Sequence, residues 1–239
     1  LTDGEALARA AGFDSASYNL FIVAFPGMSF GYSGKARVGR AGVWLNGSFG
    51  SSVTAHELGH NYGVHHANLW QTTDGTVIGT GANVEYGNLF DVMGRGGTRA
   101  QPIGWFKSRL DWLLPAAYTT VSADGTFQVQ PIDDPAAAGP RALKIVKDAT
   151  RSYWVEFRQL YTTNRWASNG AMLNWGYNNN TGSHLLDMTP GSSNGANDAP
   201  LLVGRTFSDT ASGIHITPVA RSASPPGMDV VVKRGSFPG

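Results

Sequence analysis

The apolar residues of this chain fall into short runs separated by polar, glycine-rich stretches. Residues 3 to 11, from Asp3 to Ala11, read as a short helix. Asp3 is placed to cap it and Gly12 to end it. The run Tyr18-Asn19-Leu20-Phe21-Ile22-Val23-Ala24-Phe25 is almost continuously apolar and stops at Pro26-Gly27, which predicts a strand buried on both faces. Residues 27 to 42 are rich in glycine and read as a loop, with one short strand at Ala36 to Val38. Gly42 to Ser48 reads as the next strand. A helix capped by Ser51 or Ser52 then runs to about Tyr62. After His66 the pattern is irregular, with a turn signal at Asp74-Gly75 and a short helix from Trp105 to Leu113 ended by Pro115.

From residue 117 the character changes. Thr119 to Val121, Thr126 to Gln130, Ala142 to Val146 and Ser152 to Arg158 are short strand candidates, several with period-two alternation. Ala171 to Trp175, His184 to Asp187, Leu201 to Val203, Ile214 to Val219 and Met228 to Lys233 continue the series. Many short strands with no helical period predict an antiparallel β-sandwich. The chain therefore reads as α+β with two domains, residues 1–116 and 117–239. No internal repeat is visible.

Composition narrows the partners. The chain has 239 residues and a formal net charge of +1, so nothing points to nucleic acid or an anionic membrane. No apolar run reaches the length of a membrane span. With no cysteine, disulfides and thiolate metal ligands are excluded. The low charged fraction of 15%, with abundant Gly, Ser, Thr and Asn, fits an extracellular protein. Asn46-Gly47-Ser48 and Asn179-Asn180-Thr181 are formal N-glycosylation triplets. The sequence begins at Leu1, as a processed or trimmed fragment would, and a signal peptide or pro-segment would lie upstream of it.

The densest chemistry lies in His56-Glu57-Leu58-Gly59-His60-Asn61-Tyr62-Gly63-Val64-His65-His66, which holds four of the six histidines. It is an H-E-x-x-H motif extended to H-E-x-x-H-x-x-G-x-x-H. On a helix, positions i and i+4 share a face, so His56 and His60 stand about 6 Å apart along the axis. That suits two imidazole ligands on one Zn²⁺. Glu57 can reach the open coordination position as a general base. Gly63 permits the left-handed turn that ends the helix and brings back a third histidine. The spacing favours His66 over its neighbour His65. A bare H-E-x-x-H is often only a solvated helical face; the extended motif is far more specific.

Met93 lies in Asp91-Val92-Met93-Gly94, 27 residues after His66. A lone Met is usually core filler, but the extended motif followed by a methionine turn is the metzincin signature. The chain resembles a metzincin zinc endopeptidase, and more closely the gametolysin family and its bacterial relatives. The motif through Ala67, then Glu85-Tyr86-Gly87, Asp91-Val92-Met93-Gly94, Val43-Trp44-Leu45-Asn46-Gly47 and Tyr153-Trp154-Val155-Glu156-Phe157-Arg158 carry the likeness.

The resemblance implies a catalytic domain with a small mixed sheet and an active-site helix, secretion, and zinc-dependent cleavage of extracellular or cell-wall glycoproteins; a monomer is expected. It assigns His56, His60 and His66 as zinc ligands, Glu57 as base and Met93 as support beneath the metal. Arg95 stands where some metzincins carry a zinc-binding tyrosine, which excludes that fifth ligand. Only two or three strands are evident before the motif, fewer than metzincins usually have there.

Other readings follow from single features. The strand at 42–47, with Val43, Trp44 and Asn46, is a candidate edge that pairs with substrate. Tyr86 is a candidate oxyanion partner or packing residue. Trp154, Trp166, Trp175, Tyr161 and Tyr177 are either a sugar-binding platform or core. Asp133, Asp134, Asp187 and Asp198 are carboxylates of the kind Ca²⁺ takes, although no calcium motif is present. His184 and His215 read as structural. The rival functional reading is a non-catalytic adhesin that grips glycan or collagen and keeps a relic zinc domain. A zinc hydrolase of non-peptide bonds is a second rival.

Overall fold

A computed structural model describes residues 1–180 and 182–236, leaving aside the side chain of Thr98. Thr181, in the second glycosylation triplet, lies outside the described residues. The protein is mixed α+β and mostly sheet. It divides into two compact units, Leu1–His65 and His66–Gly239.

The first unit begins with α1 (Thr2–Ala10), followed by strands β1 (Ile22–Phe25), β2 (Gly34–Ala36) and β3 (Val43–Asn46), and ends with α2 (Ser51–Asn61). The three strands form one mixed sheet in the order β1-β3-β2, with β1 parallel and β2 antiparallel to β3. Val43 and Leu45 point to one face of β3 and are fully buried, while Trp44 points to the other. There it stacks on Phe25 at 4.7 Å and lies 5.6 Å from both Phe30 and Tyr32. The expectation of a strand at 18–25 buried on both faces is corrected. Only Ile22–Phe25 is extended, and it is half-buried with Ala24 exposed, because β1 is an edge strand of a three-stranded sheet.

The second unit opens with β4 (Ala67–Thr72) and β5 (Gly81–Val84), and α3 (Gly104–Arg109) follows. Next come β6 (Thr119–Val121), β7 (Gly125–Val129), β8 (Ala142–Val146), β9 (Arg151–Glu156), β10 (Gly170–Tyr177) and β11 (Ser183–Leu186). The last four strands are β12 (Leu201–Leu202), β13 (Phe207–Asp209), β14 (Ile214–Ala223) and β15 (Pro226–Arg234). One sheet runs β5-β4-β11-β10-β9-β8-β6, with β12 on β10; a second runs β13-β14-β15-β7. Alternate residues of both sheets meet in one apolar cluster, among them Leu143, Ile145, Tyr153, Val155, Leu173, Ile214, Ile216, Val230 and Val232. Each such aliphatic side chain contributes about 1.5–3 kcal/mol by leaving water.

Three expectations are revised in this unit. The stretch after His66 is not irregular: Ala67–Thr72 is a strand, paired parallel with β11 and antiparallel with β5. Its alternation is blurred by Asn68 and Gln71. The compact units therefore part between His65 and His66, upstream of the expected step at 116/117. Nor is the large sheet wholly antiparallel, since β4/β11 and β6/β8 are parallel pairs. Between β6 and β8 the chain leaves for the other sheet as β7, so β8 can return beside β6 in the same direction.

Two of the aromatic residues weighed as a sugar platform, Trp154 and Trp175, lie on opposite faces of their sheet. Trp175 belongs to the apolar cluster, whereas Trp154 points to the opposite face of β9, against Trp105 and Tyr118. His184 is buried with hydrogen bonds to Tyr177 and Asn83, and burial holds its pKa down at about 4. It is a structural histidine.

Candidate metal centre

The helix α2 carries His56, Glu57 and His60. The H-E-x-x-H spacing does what its periodicity predicts. The two imidazole rings are 4.9 Å apart and nearly perpendicular. The helix starts after Gly50, which makes no side-chain cap, rather than being capped by Ser51 or Ser52. Thr54 donates its hydroxyl hydrogen back to the Gly50 carbonyl. At the other end Gly63 has a φ of 94°. The Gly63 amide donates to the His60 carbonyl and the Val64 amide to that of Gly59. This is the paired hydrogen-bond pattern that closes a helix through a left-handed glycine. The turn carries the Val64 carbonyl to 2.9 Å from His60 Nδ1. A carbonyl only accepts, so His60 Nδ1 holds a hydrogen and Nε2 keeps its lone pair for a metal.

Glu57 is 7% exposed, and burial raises its pKa to about 7. Its neighbour across the unit is Gly34 in β2. A methyl group at Gly34 would lie 2.7 Å from both Glu57 Cγ and Oε1. No side chain fits there while the carboxylate keeps its place. Sequence reasoning saw only a glycine-rich loop at this point and missed Gly34. Asn61, one residue beyond His60, accepts from the Gly42 amide and donates to the Arg37 and Gly42 carbonyls. It ties the loop before β3 to the end of the helix.

In the second unit, His66 directly precedes β4. Its Nδ1 lies 2.7 Å from Glu85 Oε1, and its ring centroid is 3.9 Å from that of Tyr86. Met93 is 1% exposed. Its carbonyl accepts from the Ala67 amide at 3.0 Å, so the methionine turn is bonded to the residue after His66. The turn is held by Asp91, which is fully buried. Its Oδ1 accepts from Met93 N and its Oδ2 from Ile103 N, both at 2.6 Å. Gly94 is needed because a methyl there would meet the Asn88 and Ala67 carbonyls at 2.2 and 2.9 Å.

The ligand nitrogens of His56, His60 and His66 all lie within 4.8 Å of one another. His65 is exposed and does not belong to the group. Zinc–nitrogen bonds are about 2.0–2.1 Å, and three neutral imidazoles on one small ion is a common donor set. The residues fit a metal. Among the described residues this is the one cluster of His, Cys, Asp and Glu grouped to hold an ion. The acidic residues weighed for Ca²⁺ are otherwise engaged. Asp133 accepts from the amides of Gln159, Leu160 and Tyr161, and Asp187 and Asp198 bind Thr189, Ser192 and Asn194.

The candidate substrate strand needs correction. β3 has β1 on one side and β2 on the other, so neither backbone edge of Val43–Asn46 is open to a peptide. Its central place explains why Val43 and Leu45 are so buried. Asn46 spends its side chain on the preceding loop, accepting from Met28 N and donating to the Met28 and Tyr32 carbonyls. Among the described residues no helix is long and apolar enough to cross a membrane. No family model, curated protein or solved structure matches the chain.

Proposed function

We propose that the protein is a secreted, monomeric zinc endopeptidase of the metzincin type, acting on extracellular or cell-wall proteins and glycoproteins. In this reading the mixed sheet with α2 is a minimal metzincin-like catalytic domain, and the two sheets of the second unit are a β-sandwich. One observation carries the proposal: three histidine donors within 4.8 Å of one another, with the buried carboxylate of Glu57 on the helix that carries two of them. A purely structural zinc site has no need of that carboxylate.

His56, His60 and His66 would hold Zn²⁺ as neutral imidazoles, and the ion would supply polarisation of the scissile carbonyl and a more acidic water. The chain supplies the rest. Glu57 takes the proton of the attacking water and hands it to the leaving amine. His60 is held in one tautomer by the Val64 carbonyl. The extended peptide pairs with an edge strand, and β2 is the better candidate than β3. It is an edge of its sheet, and its Gly34 lies against Glu57.

The test is cleavage of casein or gelatin by wild type and Glu57→Ala, each with and without a chelator. The expected result is chelator-sensitive cleavage by wild type, and a rate lower by about 10²–10⁴-fold in Glu57→Ala at equal zinc content. Zinc-loaded wild type that cleaves no protein would overturn the proposal. Full activity in Glu57→Ala would overturn the role of the base.

A further inference from the structure

The third histidine has a support that its motif does not contain. The strands β4 and β5 form a hairpin in which Leu69 faces Val84. The chain leaves β5 in a tight turn, with the Gly87 amide donating to the Val84 carbonyl at 3.0 Å. The hairpin register returns Glu85-Tyr86-Gly87 to the start of β4, beside His66. Three features show that the turn is built for this position. Tyr86 has a φ of 60°, a left-handed conformation that bulky residues seldom adopt. Its amide donates to Asn68 Oδ1 at 3.0 Å. Gly87 lies so close to β4 that a methyl would meet Leu69 Cβ at 2.5 Å.

We propose that Glu85 and Tyr86 are positioning residues that clamp His66 as a metal ligand. This rests on the metal-centre reading above. A carboxylate has only acceptors, so the 2.7 Å contact with Glu85 Oε1 places the imidazole hydrogen on Nδ1. The lone pair is then on Nε2, and the ring is the better donor for the carboxylate behind it. The Tyr86 ring, 3.9 Å away at 35°, restrains rotation of the imidazole. The ring contact with His66 gives Tyr86 a packing role at this position. The clamp also accounts for the choice between the adjacent histidines, since Glu85 and Tyr86 both engage His66.

The experiment measures zinc affinity by competition with a chromophoric chelator, with the visible spectrum of the Co²⁺-substituted protein as a second readout. Glu85→Ala is expected to weaken zinc binding by about 10–100-fold and to change the Co²⁺ spectrum, with melting temperature little altered. Glu85→Gln keeps an acceptor and should recover most of the affinity. Tyr86→Gly should bind more weakly although it relieves the backbone. In the metal-free protein, long-range ¹H–¹⁵N spectra should show His66 as the Nδ1–H tautomer, and Glu85→Ala should lose that preference. If wild type takes up no zinc, the metal-centre reading fails and the clamp with it. If wild type binds and Glu85→Ala matches it within about twofold, the clamp alone is overturned.

Discussion

The two sides of the histidine cluster are held in different ways. In the first unit, His56, Glu57 and His60 stand on one helix; His60 is oriented by the nearby Val64 carbonyl and Glu57 lies against the short strand β2. In the second unit, His66 stands at the head of a strand. Its supports come from Glu85 and Tyr86, from the turn at Met93 and, behind that, from β9. The first arrangement is local and rests on helix periodicity. The second is a chain of contacts between distant segments. It ends in a buried charge network, where Arg158 bonds the Phe90 and Gln101 carbonyls and Glu156. A helix needs little help to set two side chains on one face; a single histidine on a strand needs a scaffold.

The largest effect should come from breaking that scaffold. Glu156 and Arg158 are almost fully buried. Glu156 accepts from Arg158 through Oε1 and from the Gly104 amide through Oε2. Arg158→Ala leaves a buried carboxylate without its partner and strips the Phe90 carbonyl, two residues before Val92 in the methionine turn. The expected loss is about 3–5 kcal/mol of stability, read by denaturant unfolding. Arg158→Ala with near wild-type stability would show that the second side needs no such scaffold, and the contrast would fail.

This difference also explains what the sequence made legible. The helix α2 and its closing turn at Gly63 were readable because H-E-x-x-H-x-x-G-x-x-H is short and each position has a local reason. Most strands after residue 117 were readable from alternation, since Tyr153 and Val155 point to one face and Trp154 and Glu156 to the other. The partners of those strands were not. Nothing local marks Ala67–Thr72 as a neighbour of Ser183–Leu186, or β3 as the centre of its sheet. Glu85 attracted notice only through resemblance, because its contact with His66 depends on hairpin register. Gly34 gave no signal at all, for its role is to be empty beside Glu57.

That emptiness sets the next prediction, on the local side. Gly34→Ala places a methyl where Glu57 Cγ and Oε1 now lie. The carboxylate must move by about 1 Å, and misplacement of a catalytic group on that scale costs about 10²-fold in rate. Proteolysis should fall accordingly while zinc content stays at the wild-type level, because the three atoms nearest the added methyl all belong to Glu57. Measuring kcat/KM beside metal content separates the outcomes. Loss of both rate and zinc would mean that Gly34 supports the histidines rather than the base.

The smallest effect should come at the turn that closes α2. Gly63 holds a φ of 94°, and a methyl added there meets only Gly39 Cα, at 3.8 Å. The penalty of Gly63→Ala is therefore conformational rather than steric, about 1–2 kcal/mol for a left-handed residue with a Cβ. The strain can be relieved only by loosening the turn, which moves the Val64 carbonyl away from His60 Nδ1. Zinc affinity should weaken while Glu57 stays buried against Gly34. Gly63→Asn makes the control, because asparagine tolerates the left-handed region better than alanine. It should recover part of both stability and affinity. If the alanine and asparagine variants lose affinity equally, conformation at residue 63 does not set the tautomer of His60, and the local side is held by the helix alone.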